Sequence, residues 1–131
     1  MKTMRIFASA MALASLTALA VFAPATALAD GPQAIHTAAQ HAGIAAAQAD
    51  VANVHKHLHH ALNCLVGPGG DGFDAAPGNP CAAAGGAIPQ TSDAAMKKKL
   101  EGIAAETRAA IANNDYEAAK KAAGHIQHEL M

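Results

Sequence analysis

The residues best suited to chemistry in this sequence are histidines, four of which fall in one short segment: His55, His57, His59 and His60. Neutral imidazole is the commonest side-chain ligand for zinc, copper and nickel, because its nitrogen lone pair is largely free above a pKa near 6.5. On a helix, His55 and His59 are one turn apart and lie on the same face. These two side chains are therefore predicted to form the centre of a transition-metal site.

A second group of candidate ligands lies near the C-terminus, where His125 and His128 precede Met131. If this segment runs parallel to the first, a rise of about 1.5 Å per helical residue brings His125 and His128 to roughly the level of Lys56 and His59. A thioether ligand would favour Cu(I). The predicted intramolecular site is His55, His59 and His125, with peripheral or additional ligands from His60, His128 and Met131.

Three histidines are not assigned to this site. His57 lies near the opposite edge of the apolar stripe from His55 and His59, so it cannot join the same ion from this helix alone. On one continuous helix, His41 shares an edge with His55 but lies about four turns away, which is too far to bind the same ion. His36 falls on the apolar stripe, where a buried histidine with satisfied hydrogen bonds is the simpler interpretation.

Three other functions compete with binding of copper or zinc. The histidines can be solvated side chains with no ligand, on a helical module whose alanine-rich stripe recognises a partner helix. Two histidines, or one with Met131, can hold a haem without covalent attachment. Catalysis ranks last: an open three-histidine metal site can activate water, but no positioned general base is identifiable.

Helical periodicity indicates which elements position these side chains. From Ile44 to Leu65 the large apolar residues recur at spacings of three, four or seven, which predicts a helix over about 33–66. Further helices are predicted over about 92–112 and 115–131. The sequence therefore predicts an all-α fold: a small, disulfide-pinned bundle of three helices running up, down and up.

A long Gly/Pro-rich loop is predicted over 67–91, because its density of glycine and proline leaves no periodic pattern. Cys64 and Cys81 are the only cysteines of the chain. An oxidising compartment favours a disulfide between them, and closing that loop would contribute about 3 kcal/mol. Their spacing matches no standard zinc motif, so a disulfide is preferred to a pair of thiolate ligands.

The N-terminal residues 1–29 have the pattern of a secretory signal peptide. A positively charged start is followed by an uncharged apolar stretch, which ends in the small residues of Ala27-Leu28-Ala29. Cleavage is predicted after Ala29, leaving one domain, 30–131, in the periplasm or outside the cell and without a stable membrane span. An uncleaved membrane anchor is the alternative.

The charge of the chain argues against nucleic acid as a partner. The formal net charge is −1, and the predicted leader carries basic but no acidic residues, so its removal makes the domain more acidic. Nucleic-acid binding needs a concentrated positive surface, whereas the main basic tract is Lys97-Lys98-Lys99. The expected partners are a metal ion and a second copy of the chain, which would add a fourth helical layer, or another periplasmic protein.

The segment that begins at Asn114, Asn-Asp-Tyr-Glu-Ala-Ala, resembles the helix-opening turn of tetratricopeptide repeats. It is also similar to the last hairpin of small periplasmic b-type cytochrome bundles. The likeness extends over about 20 residues and fixes no ligand. It implies a C-terminal helical hairpin within a small metal- or haem-binding bundle.

Overall fold

The computed structural model describes residues 31–131, so the predicted signal peptide and its cleavage site after Ala29 lie outside the described residues. Cys64 and Cys81 form a disulfide. The predicted all-α, disulfide-pinned bundle is therefore confirmed. Within the described part of the chain the helices are α1 (Gly31–Ala46), α2 (Val51–Val66), α3 (Ala87–Gln90), α4 (Ala94–Ala112) and α5 (Tyr116–Leu130).

The structure divides the helix predicted over 33–66 into α1 and α2, which are joined by a turn at 47–50. Asp50 caps α2, because its carboxylate accepts hydrogen bonds from the Asn53 backbone N–H at 2.8 Å and from the Asn53 side-chain amide at 2.7 Å. The Tyr116 hydroxyl donates to the Gln48 carbonyl at 2.8 Å and so ties the turn to α5. The helical spacing of the apolar residues continues across this turn, so the sequence of α1 and α2 has the pattern of one long helix.

The four long helices form a bundle in which neighbours are antiparallel. α1 packs mainly on α2 and α5, while α4 packs on α2 and α5. His55, near the start of α2, contacts Asn113 at the end of α4. Gly43 of α1 faces Gln127 of α5, whereas Ala46, further along α1, lies beside Gly124, which is earlier in α5. The order is therefore up, down, up and down, rather than three helices, and the fourth layer belongs to this chain. None of the helices described is both long and apolar enough to cross a membrane.

Small side chains let α1 approach its neighbours closely. Its buried positions are all glycine or alanine, whereas α2 contributes branched residues to the same core. The distance between packed helices is set by the side chains at the contact, so an alanine face brings the α1 and α2 backbones together. The buried α1 face comprises Gly31, Ala34, Ala38, Ala39, Ala42 and Ala45.

The segment between α2 and α4 folds back onto the end of α2. A Cβ atom on Gly86 would lie 2.6 Å from the Gly67 backbone nitrogen, so these two glycines permit a close backbone crossing. Asn63 is fully buried and binds the loop through its side chain. The predicted loop 67–91 is thus an ordered segment that ends in the short helix α3.

Candidate metal centre

Three imidazoles converge on one side of the α1–α2 hairpin. Nδ1 of His41 lies 3.4 Å from Nδ1 of His57 and 3.3 Å from Nδ1 of His60. Among residues 31–131 these side chains form the group of potential ligands whose donor atoms all lie within 4.8 Å of one another. Two nitrogens bound to a tetrahedral zinc ion at about 2.0–2.1 Å are separated by about 3.3–3.4 Å. The two measured separations match this spacing.

The hairpin geometry explains why these histidines meet. His41 is six residues before position 47 and His57 is seven residues after position 50, so both lie about 10 Å from the turn at 47–50. His57 and His60 are three residues apart on α2 and therefore share a face. The turn thus brings one imidazole of α1 against two of α2.

The carbonyl of Pro77 fixes the orientation of His60. Nε2 of His60 lies 2.6 Å from this carbonyl oxygen. Because a carbonyl only accepts hydrogen bonds, Nε2 must carry the proton and donate. In the neutral form of the ring with this proton, the lone pair is on Nδ1, the atom that faces His41. This tautomer is the one needed for metal binding through Nδ1.

The surroundings of His41 and His57 favour the neutral form of these two imidazoles. Burial, with smaller contributions from the neighbouring His60 and His57, lowers the pKa of His41 to about 4. The pKa of His57 is also lowered, chiefly by burial and then by His60 and Lys56. At neutral pH, His41 and His57 are therefore uncharged and retain a nitrogen lone pair for a metal ion.

The rings pack against one another around this point. His41 and His57 are stacked, with ring centroids 5.7 Å apart. His60 meets both rings edge-on, at 4.8 Å from His41 and 5.3 Å from His57. All three side chains are half-buried, so solvent can still reach the cluster.

The structure does not bring His55, His59 and His125 together as predicted. Nε2 of His55 donates to the Asn113 carbonyl at 2.8 Å, whereas Nδ1 of His125 lies 2.9 Å from a Glu106 carboxylate oxygen. His55 is level with the α4–α5 turn, while His125 lies about ten residues, or about 15 Å, further along α5.

His59 is next to the cluster in sequence but not part of it. Its Nδ1 atom is buried and has no hydrogen-bond partner among the described residues. Burial lowers the pKa of His59, and Asp74 partly offsets that effect. A helix rotates each successive side chain by about 100°, so His60 can join His57 while His59 faces elsewhere.

Of the peripheral ligands predicted, only His60 belongs to the cluster. His128 is exposed near the end of α5. Met131 is 90% exposed and lines a surface pocket with Pro32 and His36. His36 is itself exposed rather than buried.

Sequence reasoning missed His41 because it treated α1 and α2 as one helix, and it missed His57 because that side chain lies at the opposite edge of the apolar stripe from His55 and His59. On a continuous helix His41 is far from every histidine of the second group, but on a hairpin it lies beside them. Asp50, followed by Asn53 three residues later, was the available signal, since aspartate is a favoured N-cap residue.

The three imidazoles provide three nitrogen ligands for a metal ion. A three-histidine set leaves a fourth coordination position for water or for a donor from a partner. An open groove of about 590 Å³ lies beside His41, between α1 and α5.

Comparison with protein-family models, with curated proteins and with solved structures found no match for this chain.

Proposed function

We propose that this protein binds one divalent transition-metal ion through Nδ1 of His41, His57 and His60. The observation that carries the proposal is the convergence of three Nδ1 atoms from two helices, with two separations close to those of a tetrahedral site. The hydrogen bond from His60 to the Pro77 carbonyl supports it, because metal-binding histidines commonly donate their second ring nitrogen to a carbonyl or carboxylate.

The donor set favours zinc or Cu(II) over Cu(I). Imidazole suits both divalent ions, whereas thiolate and thioether ligands favour Cu(I). Both cysteines are held in the disulfide, and Met131 lies beside Pro32 and His36 rather than in the cluster. The near-tetrahedral spacing is typical of zinc, while Cu(II) binds nitrogen ligands with higher intrinsic affinity.

The biological role that fits such a site is metal buffering, storage or delivery outside the cytoplasm. An open coordination position and half-buried ligands allow an ion to exchange with another donor. The leader-like N-terminal segment and the Cys64–Cys81 disulfide both support an exported protein, in the periplasm or secreted.

Haem is a poorer ligand for this cluster. Two axial histidines must leave a gap for the macrocycle, whereas these three rings lie with their centroids only 4.8–5.7 Å apart. The surviving alternative is a cluster of imidazoles that packs the hairpin and binds no ion, in a helical module that recognises another protein.

Native mass spectrometry of the chelator-treated protein, titrated with Zn(II), Cu(II) and Cu(I), tests the proposal. One ion should bind per chain, and His41→Ala/His57→Ala should abolish this stoichiometric binding. The matched control is His55→Ala/His125→Ala, which removes two histidines outside the cluster and should bind like the unmodified chain. If the control loses the ion and the first variant keeps it, the site lies elsewhere. If the unmodified chain binds no ion, the cluster has only a packing role.

A further inference from the structure

We infer that the loop segment 74–81 is the positioning element of the metal site: through the Pro77 carbonyl it holds His60 as a ligand. This inference rests on the metal-binding function proposed above and assigns a role to a segment that carries no metal ligand itself. Its consequence is that residues remote from the ion control the affinity of the site.

One face of α2 binds this segment through three successive contacts. His60 donates to the Pro77 carbonyl at 2.6 Å, Asn63 bonds the loop backbone, and Cys64 is joined to Cys81. The three α2 residues are spaced i, i+3 and i+4, so they lie on one side of the helix. The loop is therefore fixed to the same face that presents His60.

Asn63 makes the central contact of this face. Its side-chain nitrogen donates to the carbonyls of Asp74 and Gly78, at 2.6 and 2.8 Å, and its oxygen accepts from the Asp74 backbone N–H at 3.0 Å. Asn63 is fully buried, and Asp74 and Gly78 are half-buried, so an unpaired polar group here would be costly. The backbone on both sides of Pro77 is thus held from α2, which keeps the Pro77 carbonyl in place.

Gly78 lets the loop approach the imidazole. Its φ is +111°, a conformation that side chains other than glycine rarely adopt. A Cβ atom at this position would lie 3.3 Å from Nε2 of His60. Any larger residue therefore strains the turn and presses on the ring at the atom that donates to Pro77.

This arrangement matters because a neutral imidazole exists in two tautomers. With the proton on Nε2, the Nδ1 lone pair faces His41 and is available to an ion; with the proton on Nδ1, it is not. Loss of such an outer hydrogen-bond partner typically weakens metal affinity by about 10- to 100-fold. The same range is expected when the Pro77 carbonyl is displaced.

Gly78→Ala, with Gly69→Ala as its matched control, tests the inference. Gly69 also has a positive φ, +82°, in the same loop, but a Cβ there would meet nothing within 4 Å. Both variants strain a turn, and only the first disturbs His60. Zn²⁺ titration against a chromophoric chelator should show affinity reduced about 10- to 100-fold in Gly78→Ala and unchanged in Gly69→Ala. Equal affinity in the two variants would overturn the inference.

A second readout needs no metal ion. Long-range ¹H–¹⁵N NMR correlations of the metal-free protein at neutral pH should show His60 protonated on Nε2, and this preference should weaken in Cys64→Ser/Cys81→Ser. Protonation on Nδ1 in the unmodified protein would refute the role of Pro77. If His60 carries its proton on Nε2 but no chain binds Zn²⁺, the positioning stands and the proposed metal function fails.

Discussion

The histidines of the two helical hairpins in this bundle have different neighbours. In the α1–α2 hairpin, Asp50 and Lys56 are the only charged side chains other than histidine, and three imidazoles turn their Nδ1 atoms towards one point. The α4–α5 hairpin is rich in lysine and glutamate, and its His125 pairs with Glu106 across the two helices. In the second hairpin the neighbour of a histidine is thus a carboxylate, whereas in the first hairpin it is another imidazole.

This contrast shows that histidines close together in sequence need not form a cluster in the folded protein. Four histidines occur within residues 55–60, yet only His57 and His60 belong to the cluster, and the third member comes from α1. His55 and His59 belong to the same dense segment but have other surroundings. Convergence of separate elements decides which imidazoles can share an ion, and the alanine face of α1 makes that convergence close.

The largest expected effect is a difference in Zn²⁺ affinity between variants of two adjacent histidines in α2. His60→Ala removes a ligand and should lower Zn²⁺ affinity by more than about 100-fold, since even loss of an outer partner costs about 10- to 100-fold. His59→Ala removes an imidazole that faces away and should change affinity little. Isothermal titration of both variants measures the difference. Comparable losses would mean that the histidine-rich segment binds as a whole, without the geometry described.

A smaller effect tests whether the alanine packing of the first hairpin sets the ligand distances. Ala38 in α1 and Ala119 in α5 are both fully buried. Replacing either with leucine overpacks the core and should lower the free energy of unfolding by about 1–3 kcal/mol. Urea unfolding gives this quantity. Only Ala38→Leu should also weaken Zn²⁺ binding, because it displaces α1 one turn before His41. If Ala119→Leu alone weakened Zn²⁺ binding, the packing of the first hairpin would not set the ligand distances.

The smallest expected effect is on how the free energy of unfolding of the metal-free protein depends on pH. The pKa of His41 is about 4 in the folded state and near 6.5 when unfolded, so the unfolded chain binds more protons between these values. The free energy of unfolding should therefore fall as the pH drops from about 6.5 towards 4. His41→Gln should make this decline shallower, whereas Gln40→Ala, which removes no titrating group, should not. Identical profiles for His41→Gln and the unmodified protein would show that His41 is not the cause.

Much of the architecture could be predicted from local patterns. The helices α4 and α5 begin within two residues of the predicted starts, because polar residues precede both helices and Asp93 and Asp115 cap them. The Cys64–Cys81 disulfide was also predicted, and it is confirmed. These features depend on residues close in sequence or on a single possible pairing.

The site was less accessible to sequence reasoning, because it depends on one turn. Ala46 to Ala49 gives no breaker, and alanine has the highest helix propensity, so only Asp50 marks the start of a new helix. That turn reverses the chain and moves His41 from four turns away to direct contact with His57 and His60. The Pro77 carbonyl was equally hidden, since a backbone group in an irregular loop leaves no pattern of residue types.

The most direct test is to locate a bound ion. Crystals of the protein grown with one equivalent of Zn²⁺ and measured at the zinc absorption edge should show a single anomalous peak, about 2.0–2.1 Å from Nδ1 of His41, His57 and His60. A principal peak at His55, His125 or His128, or no ordered peak beside the three converging imidazoles, would contradict the assignment.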